Sequence, residues 1–277
     1  MNMKIPFYKM SGSGNDFIII DNRGGAVAEE NLDQLIVGAC RRKKSAGADG
    51  LILVEESTQV DFKWRFFNAD GSRAEMCGNG ARCAARFACI TGISGPELAF
   101  ETDAGIVSAQ VIQDRVKIRM TDPTGLQTNQ TLAVGDTTLP YDFINTGVPH
   151  VVMPADDIEQ VDVVDLGRAV RQHERFSPAG TNVNFVQPIG RNAIAVRTYE
   201  RGVEDETLAC GTGCAAASLM MRLHHHWDAP VEVKTRSGEM LRIYFEEEAG
   251  AFRQVHLEGG ARVIYTGTLW EEAWQPA

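Results

Sequence analysis

Met76–Cys83 reads MCGNGARC, and Leu208–Cys214 reads LACGTGC. Both carry Cys-Gly-x-Gly at the head of an alanine-rich, proline-free run, so GNGARCAARFA and GTGCAAASLMMRL predict helices that start just after Cys77 and Cys210. The two cysteines stand 133 positions apart (210 − 77). The same offset pairs Gly14 with Gly147, Gly47 with Gly180, Gly78 with Gly211, Gly80 with Gly213, Thr102 with Thr235 and Gly105 with Gly238. With 27 glycines in 277 residues, one such glycine match arises by accident roughly one time in ten. A gapless series predicts a duplicated domain.

The period is far too long for a solenoid, so each copy is expected to be an assembly of its own, related to the other by a pseudo-twofold axis. Each half reads as an apolar strand (FIII after GSGNDF; VVM after NTGVPH), a short helix, a second strand (GLILVE; NFVQ) and a third (FKWRFF; AIAVRTY). A polar loop then leads into the Cys-Gly-x-Gly helix. LAFETDAGIVSAQV with VKIRM, and VEVKTRSGEMLRIYF with QVHLEG, close the halves as hairpin-like pairs. TDPTGLQTNQ suits a connector. The expected division is 1–120 with Cys77 and 121–262 with Cys210, the final strand, 263–277, returning to the first half.

A hydrophobic content of 44% and a charged content of 23% are those of a folded globular chain. The net charge of −10 argues against nucleic-acid or anionic-membrane partners. MNMKIPFYKM has no apolar leader core, and no stretch approaches the roughly 20 apolar residues that cross a bilayer. A cytoplasmic protein is expected, its six cysteines thiols rather than a disulfide framework. The basic run Arg41-Arg42-Lys43-Lys44 follows the helical NLDQLIVGAC, where cations complement a helix C-terminus.

A cysteine at a helix start meets unpaired N–H groups and the positive end of the helix dipole, which favour a thiolate and are expected to lower its pKa toward neutrality. The same donors can cradle a carboxylate, and glycine lets that ligand approach the backbone. Two such starts, one on each side of a substrate, suit inversion of a stereocentre with an acidic C–H beside a carboxylate. One sulfur takes the proton from one face and the other delivers a proton to the opposite face. Helix N–H donors stabilise the charge that develops on the carboxylate, so no metal and no pyridoxal cofactor are expected.

The chain resembles the diaminopimelate epimerases over nearly its whole length, in KMSGSGNDF, GADGLILVE, FFNADGSRAEMCGNGARC, NTGVPH, GTNVNF, RTYERGVEDETLACGTGCAAA and LEGGARVIYTG. The resemblance implies conversion of LL-diaminopimelate to the meso isomer, for lysine and peptidoglycan synthesis, by a two-base thiol mechanism without cofactor. It also implies a homodimer and an α+β fold of two similar domains, each a mixed or antiparallel sheet curled around a central helix. Carried over by residue, Cys77 and Cys210 look like the acid–base pair, with His150 and Glu200 as a supporting catalytic pair. Gly78 with Asn79, and Gly211 with Thr212, look like helix-start contacts to the substrate. Asn15, Asn68, Asn182, Glu200 and Arg201 look like the remaining substrate-binding positions, chemically apt for a zwitterion with two ends. Val148 departs from the Asn that many members carry before Pro-His and is left out of the site.

Other readings compete. Cys40, Cys83, Cys89 and Cys214 lie within helical patterns and are expected to be packing residues. Cys210 and Cys214 fall one helical turn apart, but the chain lacks a zinc-knuckle pattern. His224, His225 and His226 point to different faces of a helix end. Asn15 and Asn68 suit turns, and Glu200 with Arg201 suits a surface ion pair. The nearest functional rival is a cofactor-independent proline or hydroxyproline racemase or epimerase, whose sites typically read MCGHG and Ser-Pro before Cys-Gly-Thr; Asn79 and ETLACGTG differ. A phenazine-pathway isomerase of the doubled fold needs no cysteine pair. A redox-sensing module would join Cys77 to Cys210 and exchange no substrate hydrogen.

Overall fold

The computed structural model describes residues 4–275; residues 1–3 and 276–277, at the ends of the spans assigned from sequence, lie outside them. The chain divides into two compact units, Met1–Ile118 with Gly259–Ala277, and Arg119–Glu258. In chain order the first runs β1 (Lys4–Gly12), β2 (Asn15–Asp21), α1 (Leu32–Cys40), β3 (Gly50–Glu55), β4 (Phe62–Asn68), α2 (Gly78–Ile90), β5 (Glu97–Thr102), β6 (Gly105–Ile112) and β7 (Arg115–Arg119). There follow β8 (Thr124–Val134), β9 (Thr137–Asn145), β10 (Pro149–Pro154), α3 (Val163–Arg171), β11 (Asn182–Gly190), β12 (Ala193–Glu200) and β13 (Asp205–Thr207). The last elements are α4 (Gly211–His225), β14 (Val231–Lys234), β15 (Met240–Glu248), β16 (Ala251–Gly260) and β17 (Arg262–Trp270).

In the first unit the strands pair in the order β17–β1–β2–β3–β4–β5–β6–β7, antiparallel except for β2/β3 and β4/β5. In the second the order is β8–β9–β10–β11–β12–β14–β15–β16, antiparallel except for β10/β11 and β12/β14, with β13 added beside β12. The two mixed sheets thus repeat one pattern of neighbours and directions. Their outermost strands come from opposite ends of the topology: β17 arrives from the C-terminus, whereas β8 immediately precedes β9.

Each sheet curls around one helix. Helix α2 packs on β1, β2, β3 and β6, and α4 on strands from β9 to β15, so a single helix touches strands far apart in the sheet order. An enclosed helix is apolar on every side. Accordingly Ala81, Ala84, Ala85 and Ala88 in α2, and Ala215, Ala216 and Ala217 in α4, have no exposure. The outer faces carry the short helices. Ile18 and Ile20 of β2 and Leu51 and Leu53 of β3 pack with Leu35 and Ile36 of α1, while Phe17 and Ile52 alternate to the α2 side, against Gly80. Val151, Val183, Phe185 and Tyr199 do the same with Val163 and Val170 of α3.

The glycines paired by the 133-residue offset share a backbone state. φ is +92° and +111° at Gly14 and Gly147, +67° and +68° at Gly47 and Gly180, and +115° and +83° at Gly105 and Gly238. A side chain at such angles is strained, which gives the pairing a physical basis.

Two expectations are corrected. TDPTGLQTNQ is not a bare connector: from Thr124 onward it is strand β8, paired with β9. Its side chains are largely exposed, so it lacks the apolar alternation that marks a strand. The basic run does not lie in the last turn of α1, which ends at Cys40; Arg42 turns to Asp16 and Asp49 instead, at 2.5 and 2.7 Å. Among the described residues no helix is long and apolar enough to cross a membrane.

At Gly47 an added Cβ would come within 3.0 Å of the Arg42 Cα, on a left-handed backbone. Gly47→Ala is expected to cost about 1–2 kcal/mol. In urea denaturation the midpoint should fall with an unchanged m-value.

Candidate active site

In the first unit Cys77 is the N-cap of α2, extended at φ −148° and ψ 115°, and its Sγ accepts the Gly80 N–H at 3.5 Å. The next polar residue, Asn79, is tied to β2: its Nδ2 donates to Asn15 Oδ1 at 2.6 Å, and its Oδ1 accepts from Arg82 Nη2 at 2.9 Å. Asn15 in turn donates to Asp49 Oδ2 at 3.1 Å, and Asp49 is held by Arg42. Arg42 also pairs with Asp16, which Lys9 meets from the other side at 2.7 Å. Burial alone would raise the Asp16 carboxyl; the hydrogen bonds from Arg42 and Lys9 outweigh it and hold its pKa at about 2. Asn68 stands apart from this network. It is exposed and bonds Ser72 Oγ at 2.9 Å, within the turn that follows β4.

In the second unit Cys210 is the N-cap of α4, extended at φ −117° and ψ 107°, and is buried. Its Sγ lies 3.5 Å from Thr212 Oγ1. An added Cβ at Gly211 would fall 2.8 Å from Leu257 Cδ1, and one at Gly213 2.1 Å from Asn184 Oδ1, so the first turn of α4 admits no side chain at either position without displacement. The strands beneath alternate polar and apolar. His150 of β10 is in register with Asn182 of β11, and Asn184 with Thr198 of β12. Period-2 alternation therefore puts His150, Asn182, Asn184, Thr198 and Glu200 on the face opposite the α3 core. Asn182 Nδ2 donates to the Pro149 carbonyl at 3.2 Å, and its Oδ1 accepts the Arg201 N–H at 2.8 Å. The Arg201 guanidinium donates to the Ala179 carbonyl at 3.1 Å.

The charge balance at Cys210 differs from the sequence expectation. Burial and then the Glu200 carboxylate push the thiol up to about 12, over the opposing Thr212 hydroxyl and the N–H groups of Gly213 and Thr212. Desolvation of a sulfur outweighs the pull of the helix start. Glu200 is itself raised by burial. His150, with no exposure, is held down to about 3, first by burial and further by the Arg201 charge. The ring meets Asn184 Nδ2 at 3.0 Å rather than a carboxylate.

Asn184 was not singled out from the sequence, although the alternation Asn182-Val183-Asn184-Phe185 was the available signal: two buried amides on one strand face need partners. Cys40, Cys83 and Cys214 are buried, and burial raises the Cys40 thiol to about 12. His224 bonds Asp142 at 2.7 Å, and His226 ends α4 in the left-handed region at φ +56°. Among the described residues no three His, Cys, Asp or Glu side chains are arranged to hold a metal ion.

Residues 7–126 and 143–264 match the model of the diaminopimelate epimerase family. The chain belongs to the diaminopimelate epimerase family. It is 47% identical to the diaminopimelate epimerase of Aquifex aeolicus (strain VF5), an alignment covering 96% of this chain and 98% of that one. It is 44% identical to the enzyme of Hydrogenobaculum sp. (strain Y04AAS1), over 94% and 97%. Family members of this kind are isomerases, and this chain is one. Among solved structures it resembles a phenazine biosynthesis protein of the PhzF family from Bacillus anthracis, with TM-score 0.71 at 17% identity, covering 96% of this chain and 99% of that chain. It also resembles a hydroxyproline epimerase from Agrobacterium vitis, with TM-score 0.68 at 14% identity, covering 98% and 93%. At these identities the likeness establishes the α+β fold of the epimerase and not its substrate.

Two outcomes follow from the electrostatics of the epimerase. Between the unfolded histidine value of 6.5 and the folded value of about 3, the unfolded chain binds the His150 proton and the native state does not. Stability from this residue is therefore complete above pH 6.5 and is lost as pH falls, at up to about 1.4 kcal/mol per pH unit. Urea titrations of His150→Gln should lack that component between pH 6 and 4. Removing the carboxylate charge in Glu200→Gln should lower the Cys210 pKa, read as the pH dependence of its alkylation by iodoacetamide with peptide mapping.

Proposed function

We propose that this isomerase interconverts LL-2,6-diaminopimelate and the meso isomer without a cofactor, in the synthesis of lysine and of the peptidoglycan precursor. The observation that carries the reading is the equivalent setting of the two cysteines: each is the extended N-cap of the helix that its own sheet enwraps. Close relatives bearing the name diaminopimelate epimerase support the substrate.

In this reading the domains 1–120 and 121–262, with 263–277 added to the first, are the two epimerase halves. Cys77 and Cys210 are the two bases of the proposed reaction. A two-base reaction starts with one sulfur protonated and the other not. Burial and Glu200 favour the protonated form at Cys210, which suits it to deliver the proton while Cys77 removes one. The α-carboxylate, on which negative charge builds as the C–H breaks, is taken by the N–H groups of Gly78 and Asn79 or Gly211 and Thr212. Asn15, Asn68 and Asn182 bind the polar ends of the substrate, Arg201 a carboxylate and Glu200 an ammonium group, and His150 with Glu200 supports the thiols. Cytoplasmic location and a homodimer belong to the same proposal.

Reduced protein incubated with LL-diaminopimelate in D₂O is expected to yield the meso isomer with solvent deuterium at the inverted carbon. Cys77→Ser and Cys210→Ser should each lose about 10²- to 10⁴-fold in turnover, the range for a positioned acid or base. Undiminished epimerisation by either variant would overturn the two-thiol scheme. Racemisation of proline with no action on diaminopimelate would overturn the substrate.

A further inference from the structure

The hydrogen bonds of one buried amide fix the protonation of His150. The Val151 carbonyl can only accept, so the Asn184 atom 2.8 Å from it is the amide nitrogen. The atom facing the Thr198 hydroxyl at 3.0 Å is then the amide oxygen. The same nitrogen lies 3.0 Å from Nδ1 of His150. An amide nitrogen offers two hydrogens and no lone pair; one hydrogen goes to Val151 and the other to Nδ1. Nδ1 must meet it with its own lone pair, which leaves the ring hydrogen on Nε2.

We propose that Asn184 is a positioning residue that locks His150 as the neutral Nε2–H tautomer, making it a hydrogen-bond donor rather than a proton acceptor beside the first turn of α4. Three side chains build the lock, and all are enclosed: His150 and Asn184 have no exposure and Thr198 has 3%. Protonating the ring would turn an Nδ1–H against the amide hydrogens, so the same bond that sets the tautomer opposes the imidazolium. Burial and the Arg201 charge lower the ring's basicity besides.

The other ring nitrogen points to a ligand. His150 Nε2 is buried and has no hydrogen-bond partner among the described residues. A buried donor left unpaired is costly, so a fixed Nε2–H is a donor held for a reacting group or a bound anion. Asn184 also lies against the helix start: its Oδ1 is 2.1 Å from where a Gly213 Cβ would be, a point 3.4 Å from Cys210 Sγ. On the epimerase reading, on which this step alone rests, the acceptor is a thiolate or a substrate carboxylate. His150 then steadies negative charge without taking up the proton that the sulfurs exchange.

The test is the ring ¹⁵N signals of protein labelled at histidine, at pH 7.5, with His150 assigned by His150→Gln. The wild type is expected to show Nδ1 unprotonated and Nε2 protonated; an Nδ1–H tautomer or an imidazolium overturns the proposal. In Asn184→Asp a carboxylate faces Nδ1 and should draw the hydrogen to that side, with kcat reduced about 100-fold, the scale of losing one donor to developing negative charge, and KM changed far less. Asn184→Ala, which removes the donor without adding charge, should populate both tautomers and serves if the Asp variant does not fold. Variants that keep the Nε2–H signal and wild-type kcat overturn the positioning role. The expected wild-type spectrum in a protein that exchanges no diaminopimelate hydrogen would instead overturn the epimerase reading and leave the tautomer assignment standing.

Discussion

Everything in each unit depends on a helix being admitted to the inside of a curled sheet. A helix so enclosed buries alanines along much of its length, and the strands come close to its first turn. Gly80 meets Phe17, Ile52 and Trp64 at 3.3–3.5 Å from an added Cβ, and Gly213 leaves no room at all beside Asn184. The glycines of Cys-Gly-x-Gly thus serve packing first. Because they bare the backbone at the same point, the close approach that builds the core also leaves open N–H groups next to a sulfur.

The two units solve this problem with the same sheet order yet differ in electrostatics. In the first, the helix start is braced by a run of charged and amide groups from Lys9 through Asp16, Arg42, Asp49 and Asn15 to Asn79. In the second, the strand face toward α4 is built of neutral amides, a hydroxyl and an imidazole, with Glu200 at its edge. The duplicated frame has therefore been filled with different polar groups, and in the second frame burial favours the protonated form of the thiol.

The duplication, the helix starts and most strands were legible because they rest on local rules: glycine where φ is positive, alanine where a helix is enclosed, an apolar run where a strand is buried on two faces. β8 was not legible, since its exposed side chains carry no apolar period. Nor was the bracing role of Arg42, because a cation after a helix suits its C-terminus equally well and only the fold brings Asp16 and Asp49 to it. The helix-dipole argument gave the wrong sign for Cys210. It weighed the donors at the helix start and had no means of weighing the desolvation that enclosure imposes.

The placement of β17 has a consequence for how the chain is made. Strand β1 pairs from Lys4 with Trp270 to Ser11 with Arg262, so a strand at the start of the first unit is partnered by one translated only after the whole second unit. The second sheet, by contrast, takes its outer strand β8 from residues that directly precede β9. During synthesis the Cys210 unit can finish its sheet while the Cys77 unit still exposes the β1 edge. Translation order therefore makes the Cys77 unit, although begun before the Cys210 unit, the later of the two to be completed.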